Sequence, residues 1–238
     1  MAIYKNNLKK IKRALISLSD KSDLNKLLLT LLKFKIEIIS SGGTYREIKK
    51  LKFKCKEISN YTNSPEILDG RVKTLHPKIY GGILSKRNDL SHKKDLIKNN
   101  FKEIDLIIVN FYPFEKTIHS TKNHKKIIEN IDIGGPTMVR AGAKNYNDVT
   151  VITNTNQYND LINELNVYKG KTSLIFREKL SAQGFSECAY YDSIISNYFN
   201  KVTKNKFPKK KIISANLVEK LRYGENPHQE GAIYSFQK

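Results

Sequence analysis

Residues 104–114 read IDLIIVNFYPF, and this stretch decides the fold. Residues 104–109 form the clearest strand signal in the sequence, an apolar run rich in isoleucine and valine. Asn110, Phe111, Tyr112, Pro113 and Phe114 then end it in a polar and aromatic turn. Runs of the same kind lie on both sides: residues 14–18 (ALISL), 36–39, a weaker one at 54–58, and 149–152. Between them, Leu24, Leu27, Leu28, Leu31 and Leu32 recur at helical spacing, and residues 45–51, 127–131 and 136–144 also suit helices. Strands alternating with helices predict an α/β fold, a doubly wound parallel sheet covered on both faces. Ligands of such sheets bind beyond the carboxyl ends of the strands. The polar segments in that place are residues 17–21 (SLSDK), 40–44 (SSGGT) and 110–114.

The chain has 238 residues, 39% hydrophobic and 28% charged, which suits a soluble globular class. No apolar run approaches the roughly 18 residues of a membrane span. The N-terminal stretch MAIYKNNLKKIKR is basic, and the apolar run after it is broken by Ser19, Asp20 and Lys21, so no secretion signal is expected. Cys55 and Cys188 match no metal or redox spacing and read as small apolar residues in a reducing cytoplasm. The net charge of +20 raises nucleic acid as a partner. However, 36 lysines stand against 7 arginines and are spread along the whole chain. A dedicated nucleic-acid site would use the forked geometry of arginine. Lysine-rich solvated faces are the expected reading, with neither nucleic acid nor membrane as partner.

The character changes after about residue 154. Residues 158–167 and 173–198 read as helices, 201–211 as a basic linker containing Pro208, and 211–218 as a strand start leading into LRYGENPHQ at 221–229. The expected organisation is a body over 1–154, a helical extension over 155–205, and a linker with the opening of another domain over 206–238.

Several segments carry chemistry. Ser41, Gly42, Gly43 and Thr44 lie between a strand and a helix. They read either as an N-capped Gly-Gly turn or as an anion site made of free helix N–H groups. Ser19 and Lys21 stand at the neighbouring strand end, as an N-cap cluster or as further phosphate ligands. GRVKTLHP at 70–77 is an irregular loop that brings Arg71, Lys73, Thr74 and His76 together. The ring of His76 could be functional or structural. Asn110 and Tyr112 end the strongest strand. Asp132 precedes Gly134 and Gly135, whose amides could stabilise an oxyanion, and Arg140 and Lys144 share a helix face. His119 and His124 read as a solvated pair in a polar loop. No metal spacing, nucleophile elbow or full dinucleotide fingerprint is present.

SLSDK, SSGGT, GRVKTLHP, NFYPF, IDIGG and RAGAKN, in that order, resemble the N-terminal part of the bifunctional AICAR transformylase/IMP cyclohydrolase family. The resemblance runs from about Arg13 to Tyr234. It implies a methylglyoxal-synthase-like fold with a C-terminal helical extension, and closure of formyl-AICAR to IMP and water. It implies no cofactor and no metal for that step, and a cytoplasmic homodimer. Ser19, Lys21, Ser41, Gly42, Gly43 and Thr44 match phosphate-binding positions, and Arg71, Thr74, Asn110, Gly134 and Gly135 other substrate contacts. Lys73, Tyr112, Asp132 and Lys144 match catalytic positions, with Lys73 expected as the stabiliser near the formyl group and the acid and base unassigned. Arg222 and Tyr223 match a partial transformylase site. The remainder of that site, which uses 10-formyltetrahydrofolate, is expected beyond Lys238, so no formyl transfer is expected of this chain. A non-catalytic module of the same fold that binds small anions is the alternative, though anion binding alone would not need the four catalytic positions.

Overall fold

The computed structural model describes residues 7–236; residues 1–6, which begin the basic N-terminal stretch, lie outside them. The chain forms two compact units, Met1–Cys188 and Ala189–Lys238.

The first unit is built on a sheet of five parallel strands. Short β1 (Lys9–Lys10) precedes β2 (Arg13–Leu18), and after helix α1 (Leu24–Lys33) come β3 (Glu37–Ser40), α2 (Gly42–Lys50), β4 (Lys56–Glu57) and α3 (Ile58–Thr62). A 3-10 turn at Leu68–Gly70 leads to α4 (Pro77–Leu84), α5 (Leu90–Lys98) and β5 (Leu106–Asn110). Then follow α6 (Phe114–Ser120), α7 (His124–Glu129), α8 (Gly134–Lys144), β6 (Thr150–Ile152), α9 (Tyr158–Val167), β7 (Lys171–Thr172) and α10 (Leu174–Val202). The sheet order is β4-β3-β2-β5-β6, and β1 pairs with β7 outside it.

The apolar runs explain this sheet. Ala14, Ile16 and Leu18 of β2 and Leu106 and Ile108 of β5 pack on one face with the α1 leucines, Leu161 and Leu165. Leu15, Ile107 and Val109 face the other way, against Ile79 and Ile83 of α4 and Met138 and Val139 of α8. A strand buried on both faces has no polar side to alternate with. Each fully buried Leu or Ile contributes about 1.5–3 kcal/mol relative to exposure. The chain winds outward from β2 through β3 to β4, then returns to β5 and β6. The order therefore reverses between β2 and β5, and their carboxyl ends flank the crevice where ligands of such sheets bind.

Several expectations need correction. The helix after β3 starts at Gly42 rather than Tyr45, with Ser41 in the N-cap position. His119 and His124 are not in a loop; they lie in α6 and at the start of α7. α4, α5 and α6 have no counterpart in the sequence reading.

The second unit contains the hairpin β8 (Ala215–Leu221) and β9 (Gly231–Phe236). Ser193 donates to Ser214 at 2.7 Å, and the Asn216 amide to the Tyr190 hydroxyl at 2.6 Å, tying the approach to the hairpin onto the end of α10. Among the described residues no helix is long and apolar enough to cross a membrane.

Candidate active site

A cleft of about 620 Å³ opens at the carboxyl ends of β2, β3 and β5. One end is an anion cradle. β2 finishes in Ser17-Leu18-Ser19, and the loop beyond it is clamped by Asn110 at the end of β5. The Asn110 side-chain oxygen accepts from Ser19 N–H at 2.7 Å and Asp20 N–H at 2.9 Å, while its amide donates to the Asp20 carbonyl at 2.8 Å. Thr44 Oγ1 ties the neighbouring segment to the same strand end, accepting from Leu18 N–H at 2.8 Å and donating to its carbonyl at 3.0 Å. Ser41 is extended at φ −135° and makes no side-chain cap bond, and Gly42 turns into α2 at φ +53°, where an L side chain is strained. Lys73 Nζ lies 3.0 Å from where a Gly42 Cβ would sit, and Lys21 Nζ 3.9 Å from a Gly43 Cβ. Two ammonium groups thus meet the positive end of a helix, an arrangement that is repulsive until an anion sits among them.

The other end is built by α8. Asp132 Oδ1 accepts from Gly135 N–H at 2.8 Å, and the backbone N–H of Tyr112 also bonds this carboxylate. Burial pushes the Asp132 carboxyl above the ordinary carboxylate range; those two N–H groups and the charge of Lys73 pull it back. The Tyr112 hydroxyl is raised by partial burial, then by the negative charge of Asp132 and of Glu66. The site therefore pairs a carboxylate that takes a proton more readily than usual with a phenol that keeps its own.

Two family models match the chain: an MGS-like domain over residues 23–137 and the AICARFT/IMPCHase bienzyme over 142–238. The bifunctional purine biosynthesis protein PurH of Lactobacillus acidophilus is 48% identical over 225 residues, covering 94% of this chain and 44% of that protein. PurH of Cereibacter sphaeroides is 42% identical over 229 residues, covering 96% and 43%. The chain belongs to the AICARFT/IMPCHase bienzyme family. It corresponds to the N-terminal part of PurH and spans less than half the length of these relatives. The crystal structure of ForH shares the fold, with a TM-score of 0.71 at 27% identity over 79% of this chain and 99% of that one.

Most residues expected at a site of this family come together in the cleft. Ser19, Lys21, Ser41, Gly43, Thr44, Arg71, Lys73, Thr74, Asn110, Tyr112, Asp132, Gly134 and Gly135 all line it, and Gly42 meets Lys73 beneath its edge. The side chains of Asn110 and Thr44, however, are taken up in holding the cradle loops together. Lys73, expected at the formyl group, brings its ammonium to the cradle and also within electrostatic reach of Asp132. Lys144 does not line the cleft of its own chain. It is exposed at the last residue of α8, and at 1.5 Å per residue that helix sets it about 15 Å from Gly134. His76 is the N-cap of α4; its Nδ1 accepts from Lys78 N–H at 3.1 Å, and Pro77 follows at the first helical position. Arg222 and Tyr223 are exposed in the connection between β8 and β9 of the second unit. Two charged lining residues escaped the sequence reading. Glu129 forks onto Arg71, with Nε to Oε1 at 3.1 Å and Nη2 on Oε2, and Asp69 stands just before the basic loop. The only advance signal for Glu129 was its place three residues before Asp132.

Proposed function

We propose that this chain is an IMP cyclohydrolase that closes formyl-AICAR to IMP with release of water. The observation that carries this is the half-buried, backbone-held Asp132 carboxylate in one cleft with a two-lysine helix N-terminus. The cradle takes the phosphate through Ser19, Ser41, the α2 amides, Lys21 and Lys73. The purine precursor then extends toward α8.

In this reading the carboxamide nitrogen attacks the formyl carbon. One proton of that nitrogen passes to Asp132, whose raised pKa suits a general base. The Gly134 amide and the protonated Tyr112 hydroxyl face the oxygen where charge collects, whereas the Gly135 N–H, also expected there, is engaged by Asp132 Oδ1. That oxygen leaves as water with two protons, one from the carboxamide nitrogen and one from the formamide nitrogen. Lys73 stands between the phosphate and Asp132. It offsets charge at the first and holds the second ionised. No cofactor takes part; 10-formyltetrahydrofolate belongs to the transformylase half of the bienzyme.

The cyclohydrolase body is assigned to residues 1–154, its extension to 155–205 and the approach to the next domain to 206–238. A cytoplasmic homodimer completes the proposal. Lys144, exposed on its own chain, enters the chemistry only if a second copy brings it to a cleft. The assignment is tested by adding formyl-AICAR and following purine absorbance. IMP formation that Asp132→Asn abolishes supports it; no IMP from the wild-type chain overturns it.

A further inference from the structure

The first turn of α8 carries Asp132, Gly134 and Gly135 into the cleft with no slack. A Cβ on Gly134 would come within 2.5 Å of Thr74 Oγ1, and one on Gly135 within 2.5 Å of Asp132 Oδ2 and 3.0 Å of Phe111 Cδ1. So tight a turn transmits small displacements to the groups it presents. It is braced from behind by a residue outside the cleft. Tyr80 of α4 places its hydroxyl 2.7 Å from Thr137 Oγ1. Thr137 Oγ1 in turn lies 2.9 Å from the carbonyl oxygens of both Ile133 and Gly134.

The direction of this chain follows from counting hydrogens. Carbonyl oxygens only accept, so the single hydroxyl hydrogen of Thr137 is shared between them. Thr137 Oγ1 must then accept from Tyr80. The phenol is partly buried, and burial raises its pKa, so it remains a donor. α4 and α8 also share an apolar seam of Ile79, Ile83, Met138 and Val139, which holds the two hydroxyls in register.

We propose that Tyr80 is a positioning residue for ring closure: acting through Thr137, it fixes the first turn of α8 and so holds the Gly134 amide, and Asp132 through the Gly135 N–H, against the reacting end of the substrate. This rests on the cyclohydrolase reading. Tyr80 does not line the cleft and touches no reacting atom.

The test compares Tyr80→Phe, Thr137→Val, their double variant and Thr137→Ser in the 238-residue chain. One neutral hydrogen bond predicts that Tyr80→Phe and Thr137→Val each lower kcat about two- to tenfold, with KM near wild type. The double variant matches Thr137→Val alone, because Tyr80 acts through Thr137. Thr137→Ser keeps the hydroxyl and keeps kcat. The Gly135 N–H holds the Asp132 carboxyl down, so a loosened turn lets that carboxyl titrate at higher pH. A carbon-13 NMR titration of Asp132 in the unliganded chain reads this directly, with the resonance assigned from Asp132→Asn. An unshifted titration in Tyr80→Phe, or losses that add in the double variant, overturns the brace even if melting falls. Absence of IMP from wild type overturns the cyclohydrolase reading alone, and the titration still decides the brace.

Discussion

As the proposed base, Asp132 has to accept a proton in a place that disfavours its charge. Burial raises its carboxyl, and the Gly135 and Tyr112 N–H groups and Lys73 only partly reverse this. The working form of a base is the carboxylate, so kcat is expected to fall as pH drops through the raised value, on a limb lying above that of an exposed aspartate. Asp132→Asn removes that limb and lowers kcat about a hundredfold or more. A kcat–pH profile with the same limb in the variant would refute the role. The linkage to stability runs the other way. A carboxyl that holds its proton to higher pH when folded than when unfolded favours the native state at low pH, and that contribution is lost as pH rises through the folded value. His76 presents a different balance. Its types and spacing left a functional and a structural reading open, because a sequence does not show where a ring points. Its contact with Lys78 N–H makes it a helix cap. His76→Ala is therefore expected to cost about 1 kcal/mol in a urea melt, with KM and kcat unchanged; a fall in kcat at full stability would contradict this. The same limit applies to Asn110 and Thr44. Their presence near the site was legible, but not that their side chains are spent on joining loops.

At the scale of elements, the cradle depends on β5 holding the loop after β2 through one side chain. Asn110→Ala removes three hydrogen bonds at once. It is expected to raise KM and the Kd for IMP about tenfold, since freeing the loop costs ordering on every binding event. A larger effect on kcat than on KM would instead put Asn110 at the reacting end. On the opposite side of the sheet, α4 lies so close that a Cβ on Gly82 would come within 2.5 Å of the Lys102 carbonyl oxygen. A backbone oxygen cannot step aside as a side chain can. Gly82→Ala is therefore expected to lose about 1–3 kcal/mol of stability, despite the better helix propensity of alanine. The five strands of the parallel sheet and the helices α1, α8 and α9 were legible because their apolar residues run continuously or recur periodically, whereas the short pair β1 and β7 and the exposed β9 were not. α4 starts at a proline and contains the Gly81-Gly82 pair, both of which obscure a helical pattern. α5 buries only Leu96, so it offers no apolar stripe to detect. α6 is a single short helix started by the residues that end β5. Irregular loops drew attention as site candidates; the helices that aim them did not.

For the whole molecule, the net charge of +20 acts on folding and on binding in opposite senses. The chain has few acidic groups to set against its lysines, and among the described residues many ion pairs, such as Lys179 with Asp160, are exposed and worth little. Self-repulsion therefore weighs against the compact state. Salt shortens its range to about 10 Å at 0.1 M, so Tm is expected to rise as sodium chloride goes from low to physiological concentration. The cleft responds in reverse. Lys21 and Lys73 gather at the α2 N-terminus for an anion, and the wider positive field concentrates anionic ligands there; both attractions are screened. The Kd for IMP is thus expected to weaken over the same interval in which Tm climbs. Calorimetric titration and thermal melts of one preparation check both slopes. A pair of slopes with the same sign would mean that local geometry, rather than the field of the lysines, governs at least one of them. Lys21→Met separates the two. It removes a charge that the fold repels and the ligand needs, so it is expected to weaken IMP binding while leaving Tm equal or higher. The extra binding loss at low salt, relative to high salt, measures how much of the cradle is electrostatic.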